Sequence, residues 1–337
     1  MKILLDKNKK FFKANLHCHT TNSDGKYPVE FVKEQYKKQG YSIVAFTDHE
    51  HLIDNSFLND DEFLTITSCE VAIKEFPNLS TLVKHDMRVC HLNFYALDSA
   101  NTVTPCYSSI YDHYVTERIK PLVKHNGEYN REYSAQGINE IIRIANKNGF
   151  LVTYNHPTWS LENANDYLSY ENLFAVEVYN NSCALTGRLD DEHAFDDMLR
   201  AGKRLYCVCA DDNHNLKGMD AIDDDSFGGW VQINADKLDY TTIMNALKKG
   251  DFYSSTGPEI YSLTVDGDKI RIETSPCTSI YLTNKSRRSQ YALAKKGESI
   301  TSAEFSLDKV DEFFRIRVVD ERGKKALTQA YYKNELL

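Results

Sequence analysis

Two imidazoles stand two residues apart in Asn15-Leu16-His17-Cys18-His19, and a carboxylate follows at Asp24. Side chains at i and i+2 of a strand point to one side, so His17 and His19 can grip one ion while Cys18 turns back into the packing. Similar residues recur behind apolar runs further along. Asp48-His49 follows Tyr41 to Thr47, Glu70 follows Phe63 to Cys69, and His91 lies within Arg88 to Tyr95. Asn155-His156-Pro157 follows Gly149 to Tyr154, Glu177 and Asn180 belong to the run from Phe174, and Asp211-Asp212-Asn213-His214 follows Arg204 to Ala210. A single His or Asp behind a strand is most often a cap or a satisfied polar group. Recurrence at nearly every strand end describes a metal centre of imidazoles and carboxylates instead.

The runs that carry these residues are short and continuously apolar, as strands buried on both faces are. Helix-like stretches lie between them: Pro28 to Gln39, Ile138 to Asn148 with Ile141, Ile142 and Ala145 at helical spacing, and Asp190 to Ala201. Strands alternating with helices, with polar residues gathered at the strand ends, predict a parallel α/β barrel whose loops build a site at one face.

The chain resembles the PHP (polymerase and histidinol phosphatase) metal-dependent phosphoesterases of the stand-alone bacterial type. The resemblance rests on His17-Cys18-His19 with Asp24, Thr47-Asp48-His49, Glu70, His91, Asn155-His156-Pro157 and Asp211-Asp212-Asn213-His214, and extends from about Phe12 to Pro258. It implies a distorted (β/α)7 TIM-like barrel with two or three metal ions. It implies further that His17, His19, Glu70 and Asp212 surround a first ion, that Glu70, His91 and His156 hold a second, and that Glu70 bridges the two. Asp24, His49 and His214 would take a third, with Asp24 standing where some relatives have a His. Asp212 is preferred to Asp211 because the family places the metal-binding Asp two residues before the His; Asp211 would then orient a ligand imidazole. His51, His85, His113, His125 and His193 fall outside the pattern and read as solvated or lid residues.

Imidazoles and carboxylates without thiolates suit zinc, manganese or iron in the divalent state, and suit magnesium less well. The eight cysteines form no Cys-x-x-Cys pair, and Cys69, Cys90, Cys207 and Cys209 fall in apolar runs. Two neighbouring ions can lower the pKa of a bridging water and neutralise charge growing on phosphate oxygens, so hydrolysis of a small phosphorylated metabolite or nucleotide by hydroxide held between them is expected. Asp24 or His214 would supply the proton. The same constellation can hydrolyse an amide or lactone, and a non-catalytic metal-binding regulatory module is a third reading. Lys26, Arg188 and Asn180 are candidate substrate contacts. Solvated surface charge explains the two cations equally well, and Glu177 and Asn180 also read as interior hydrogen bonders.

The remaining chain bounds these readings. Residues 1–257 are assigned to the barrel and 258–337 to a small β-sandwich-like domain, where Asp266-Gly267 is a hairpin turn and Asp320 to Gly323 another. The long connection 98–136 carries Tyr107, Tyr111, Tyr114, Tyr129 and Tyr133, and is either an aromatic lid or a buried helical excursion. A net charge of −9 argues against a nucleic-acid duplex as standing partner and for a small-molecule substrate. The opening Ile-Leu-Leu run meets Asp6 and Lys7 too soon for a signal-peptide core, and no later run is long enough to span a bilayer. Unpatterned free cysteines agree with the cytoplasmic setting that follows.

Overall fold

The structure is a computed structural model that describes residues 1–77 and 86–336. The chain opens with β1 (Lys2–Leu5) and β2 (Lys10–Asn15), then α1 (Val29–Lys38), β3 (Ile43–Phe46), β4 (Leu64–Lys74) and β5 (Val89–Ala96). The two-residue strands β6 (Val103–Thr104) and β7 (Lys124–His125) pair with each other inside the long connection. Next come α2 (Ala135–Lys147), β8 (Phe150–Tyr154), α3 (Ala164–Tyr167), β9 (Ala175–Asn180), α4 (Asn181–Leu185), α5 (Glu192–Arg200) and β10 (Tyr206–Ala210). β11 (Trp230–Ala235), α6 (Tyr240–Lys249) and β12 (Phe252–Ser255) follow.

Local chemistry explains the helices. Ser134 caps α2 by accepting from the Gly137 amide at 3.0 Å, and Ile138, Ile141, Ile142 and Ala145 make its buried stripe. Asp239 caps α6 in the same way, and Gly250 ends it with a left-handed φ of 78°.

All seven strands expected from the sequence are present, in the order β10-β9-β8-β5-β4-β3-β2 within one large sheet. They are not all parallel. β5 runs against both β4 and β8, because β4 overruns Glu70 as far as Lys74 and the chain then folds back beside it. His91 therefore enters near the start of its strand, at the same end of the sheet as the other strands' C-termini. β2 continues the sheet to β11 and β12, both antiparallel additions that the sequence pattern did not mark as strands.

No closed sheet is found among the described residues. The edge of β10 nonetheless approaches β2: the His19 amide donates to the Asn213 carbonyl at 3.0 Å, and the Asp212 amide to the His17 carbonyl at 2.9 Å. Along the rest of this edge, the one away from β9, side chains replace a ladder. Gln329 accepts from the Cys207 amide, and the Ser254 hydroxyl accepts from the Cys209 amide while donating to the Cys207 carbonyl.

The period-2 alternation of the strands decides what faces the site. Leu64, Ile66, Ser68 and Glu70 share a face of β4, and Ala175 and Glu177 share one of β9. The apolar members of this face, with Ala14, Ile43, Val208, Val231 and Phe252, form a buried cluster. The opposite faces pack Val152, Val176 and Val178 against α2 and α5.

Past Pro258 the chain forms β13 (Ile260–Asp266), β14 (Lys269–Cys277), β15 (Ser279–Asn284), β16 (Gln290–Leu293), β17 (Ile300–Ser306), β18 (Phe313–Val319), β19 (Lys325–Thr328), β20 (Tyr331–Tyr332) and α7 (Lys333–Leu336). These strands divide between two sheets: β13, β14 and β17 form one with β1, in the order β1-β13-β14-β17, while β19, β18, β15 and β16 extend the large sheet beyond β12. A core containing Leu263, Ile272, Ile280, Leu282 and Ile316 also takes in Leu5 and Tyr253. No helix among the described residues is long and apolar enough to cross a membrane.

Candidate metal centre

Loops and strand ends bring nine side chains together in three overlapping groups, in each of which one ligand atom from every residue lies within 4.8 Å of the others. His17, His19, Glu70 and Asp212 make one, Glu70, His91 and His156 a second, and His19, Asp24, His49 and His214 a third. Glu70 joins the first two and His19 joins the first to the third. That second role of His19 was not legible in the sequence.

Glu70 lies at the centre. One oxygen is 3.0 Å from His91 Nδ1, 3.3 Å from His17 Nε2 and 3.4 Å from His156 Nε2. The other is 3.2 Å from His49 Nδ1 and 3.5 Å from His19 Nε2. Asp212 Oδ1 is 3.0 Å from His17 and 3.1 Å from His19. Asp24 faces His49, His19 and His214 at 3.4 to 3.6 Å.

Neighbouring groups fix the rings. Glu177 Oε1 is 3.0 Å from His17 Nδ1, the Asp212 carbonyl is 2.9 Å from His214 Nδ1, and Ser160 Oγ is 3.3 Å from His156 Nδ1. Each contact leaves Nε2 for the centre, as imidazole ligands require. Asn180 donates to Glu177 at 2.8 Å and Asp212 at 3.0 Å, while its carbonyl caps α4, so its amide is engaged within the protein.

Asp48 accepts from the Thr20 amide and hydroxyl and from the Ser23 amide, which holds the loop that carries Asp24. Gly25 closes that loop against His19, where a Cβ would stand 2.5 Å from the His19 backbone. His156 (φ 30°) and Asp212 (φ 54°) sit in left-handed backbone, as does Glu50 (φ 68°) beside His49. Such conformations cost non-glycine residues energy and gather at functional sites.

Burial opposes ionisation of Glu70, yet the His91 and His17 rings and a hydrogen bond with His156 hold its carboxyl well below the usual range. Asp212 is likewise held low against burial, by His17, His19 and His214, and Asp24 by His214 and His49. Burial alone would neutralise His19, but Asp212 and Glu70 raise it to about 10. His91 goes the other way, lowered by burial and by its His156 and His49 neighbours despite Glu70. Without cations the centre is a lattice of carboxylates and imidazoles competing for few protons.

The donor set fits divalent ions. His17 Nε2 and His19 Nε2 stand 3.2 Å apart, a contact that two lone pairs or two protons would oppose and a cation would relieve. His49 Nδ1 and His91 Nδ1 are buried and face Glu70 oxygens at 3.2 and 3.0 Å without the alignment of a hydrogen bond. Nitrogen and carboxylate oxygen without sulfur remain compatible with zinc, manganese or iron. All eight cysteines are buried and free, Cys18 among them.

Other expectations changed. Asp211 orients no ligand imidazole: its carboxylate accepts from the Phe227, Gly228 and Gly229 amides and the Tyr36 hydroxyl, which folds the 227–229 turn around it. His51 is buried rather than solvated, with Nδ1 2.6 Å from the His49 carbonyl. His113 and His193 are exposed, His125 stacks on Tyr107 at 3.9 Å, and His85 lies outside the described residues. Lys26 and Arg188 do not line the cavity over the centre, which measures about 280 Å³. Its walls are Lys74, Met87, Val89, Tyr114 and Trp159; only Tyr114 had been singled out, and the spacing of the others in sequence gave no signal. The connection 98–136 contains short 3-10 turns but no α-helix before α2, and of its five tyrosines Tyr114 alone reaches the cavity.

No family model and no curated protein matches the chain. Among solved structures, a two-domain protein from Bacteroides vulgatus containing a predicted PHP-like metal-dependent phosphoesterase is similar at 12% identity and a TM-score of 0.46, covering 96% of each chain. A putative metal-dependent phosphoesterase from Bifidobacterium adolescentis is similar at 15% identity and a TM-score of 0.34, over 60% of this chain and 87% of that one. An amidohydrolase from Chromobacterium violaceum is similar at 13% identity and a TM-score of 0.36, with the same shares covered.

Proposed function

We propose that this chain is a metal-dependent hydrolase and, within that class, a phosphoesterase of the PHP type on a distorted, incompletely closed barrel. The observation that carries the reading is the convergence of nine imidazole and carboxylate side chains into three groups that share Glu70 and His19. His17, His19, Glu70 and Asp212 would hold one ion, Glu70, His91 and His156 another, and Asp24, His49 and His214, with His19, a third. Bound there, divalent ions supply the acidification of water and the neutralisation of phosphate charge that ester hydrolysis needs.

The chain's own groups do the rest. Glu177 holds His17 in one orientation, and the Asp212 carbonyl does so for His214. Asp24 and His214 have the most exposed side chains of the nine and face the cavity, which supports a role in proton delivery to the departing oxygen, from His214 with the Asp24 carboxylate as its partner. The cavity floor carries three carboxylates, so a phosphate is repelled until cations offset them.

Metal analysis with hydrolysis assays on an aryl phosphate monoester, a diester and small nucleotides tests the proposal. Two to three ions per chain and chelator-sensitive phosphate release are expected, both lost in folded His17→Ala and Glu70→Ala proteins. A metal-loaded wild type that turns over none of these esters refutes it.

A further inference from the structure

The strands that bring Glu70 and His91 into the centre continue past it and build the cavity wall. Glu70, Ala72 and Lys74 share a face of β4; in the antiparallel pairing His91 lies opposite Ala72 and Val89 opposite Lys74. One face of the β4–β5 pair thus presents the centre and, a step further out, an ammonium beside an apolar side chain. Lys74 is the only Lys or Arg lining the cavity among the described residues, and it is buried. It donates to the Tyr114 hydroxyl at 2.7 Å, with Nζ 4.5 Å from that ring's centre. Tyr114 stands 4.7 Å from the His49 ring, so this cation is fixed at the rim of the centre.

Trp159 lines the same cavity beside His91 and His156. Its ring lies 5.3 Å from His91 and 4.9 Å from His156, while 41% of the residue stays exposed. A large ring left open beside a polar centre is a surface on which another flat ring can stack. At about 280 Å³ the cavity is near the lower limit for small-molecule sites, with room for one phosphoryl group and one ring.

We propose that the site takes small phosphate monoesters whose alcohol portion is a flat aromatic or heteroaromatic ring, with Lys74 pairing to a phosphate oxygen and Trp159 stacking on the ring. The inference rests on the phosphoesterase reading and adds the substrate class and the two residues that select it. In the reaction one water is consumed: its oxygen bonds phosphorus, the ester P–O bond breaks, and its proton ends on the departing oxygen, giving the ring alcohol and inorganic phosphate. A diester would need room for a second substituent at the phosphoryl end.

Binding of phenylphosphonate and ethylphosphonate to the metal-loaded protein tests this, with affinities read by isothermal titration calorimetry and tryptophan fluorescence recorded beside them, alongside turnover of phenyl phosphate. The wild type is expected to bind phenylphosphonate about tenfold more tightly than ethylphosphonate. Trp159→Ala should bring that ratio near unity with metal content unchanged, and Trp159→Phe should lose the fluorescence response while keeping part of the preference. Lys74→Met should weaken both phosphonates alike, by about tenfold or more. Phenyl phosphate turnover with equal binding of the two phosphonates, or a preference that survives Trp159→Ala, overturns this inference and leaves the phosphoesterase reading standing. Absence of both phosphonate binding and monoester turnover overturns the two together.

Discussion

Replacing Arg131 with Met should destabilise the protein severely and loosen the centre from behind. The Arg131 guanidinium is fully buried and forms an ion pair with Glu50 at 2.6 Å, with a second contact at 2.9 Å. It also donates to the Cys106 and Ala72 carbonyls at 2.8 and 2.9 Å, and its plane lies 4.7 Å from the Tyr111 ring centre. These contacts tie the 98–136 connection to the C-terminal end of β4. Met fills the volume but leaves the Glu50 carboxylate buried, with the Ala72 amide as its remaining donor at 2.9 Å. Breaking a buried pair from one side costs about 3–5 kcal/mol, a large part of the roughly 5–15 kcal/mol that holds a typical domain together. Because Glu50 follows His49 directly, the unpaired charge should also disturb that imidazole and lower occupancy of the third group. Chemical unfolding of the metal-free protein gives the stability and metal analysis gives the occupancy. The double variant Arg131→Met, Glu50→Leu should recover most of the loss, since no stranded charge remains. A loss below about 1 kcal/mol for the single variant, the range of exposed pairs, would refute the claim that this pair is desolvated.

Three further outcomes are expected. Glu177→Ala frees the His17 ring and should weaken metal binding by about 10- to 100-fold in a competition titration, with the fold intact by circular dichroism. Glu162, buried beneath the Tyr133, Tyr154 and Tyr170 hydroxyls, is pushed up by burial to about 7 despite those donors. Its folded form keeps a proton that the unfolded chain gives up near pH 4.5, so its stabilisation is full below that value and fades as pH rises through 7. The stability difference between wild type and Glu162→Gln should therefore shift by on the order of 3 kcal/mol between pH 4.5 and 8; a flat difference refutes the assignment. Gly250→Ala would place a Cβ 2.5 Å from the Tyr206 ring at a left-handed φ, and should destabilise by about 1 kcal/mol or more in thermal melts.

Much of this architecture was legible because buried strands leave a compositional trace. Ile43 to Phe46 is buried at every position, and so is Phe150 to Tyr154, which is why both read as continuous apolar runs. Strand direction leaves no such trace: β5 carries the same alternation whichever way it runs, so a parallel sheet was inferred where β5 is reversed. Most of the convergent residues were legible because each follows or ends an apolar run. The cavity walls were not, since Lys74 and Trp159 meet only through folding, and an exposed Trp or a buried Lys has no diagnostic spacing. Asp211 and Asp212 differ by one position, and which of them faces the centre is decided by the turn at 227–229, far away in sequence.

The side-chain seal along β10 has a consequence for synthesis. Ser254 and Gln329 lie 45 and 122 residues after the amides they seal, so both are made well after the strand they complete. While the chain is still emerging, β10 has an open edge on that side, and unpaired edges recruit other strands. The segment that delivers Asp212 and His214 therefore hangs from an unfinished strand until Ser254 and Gln329 arrive. A ribosome pausing between the codons for Ala210 and Gln329, or a nascent chain released there, would leave that edge open to other chains.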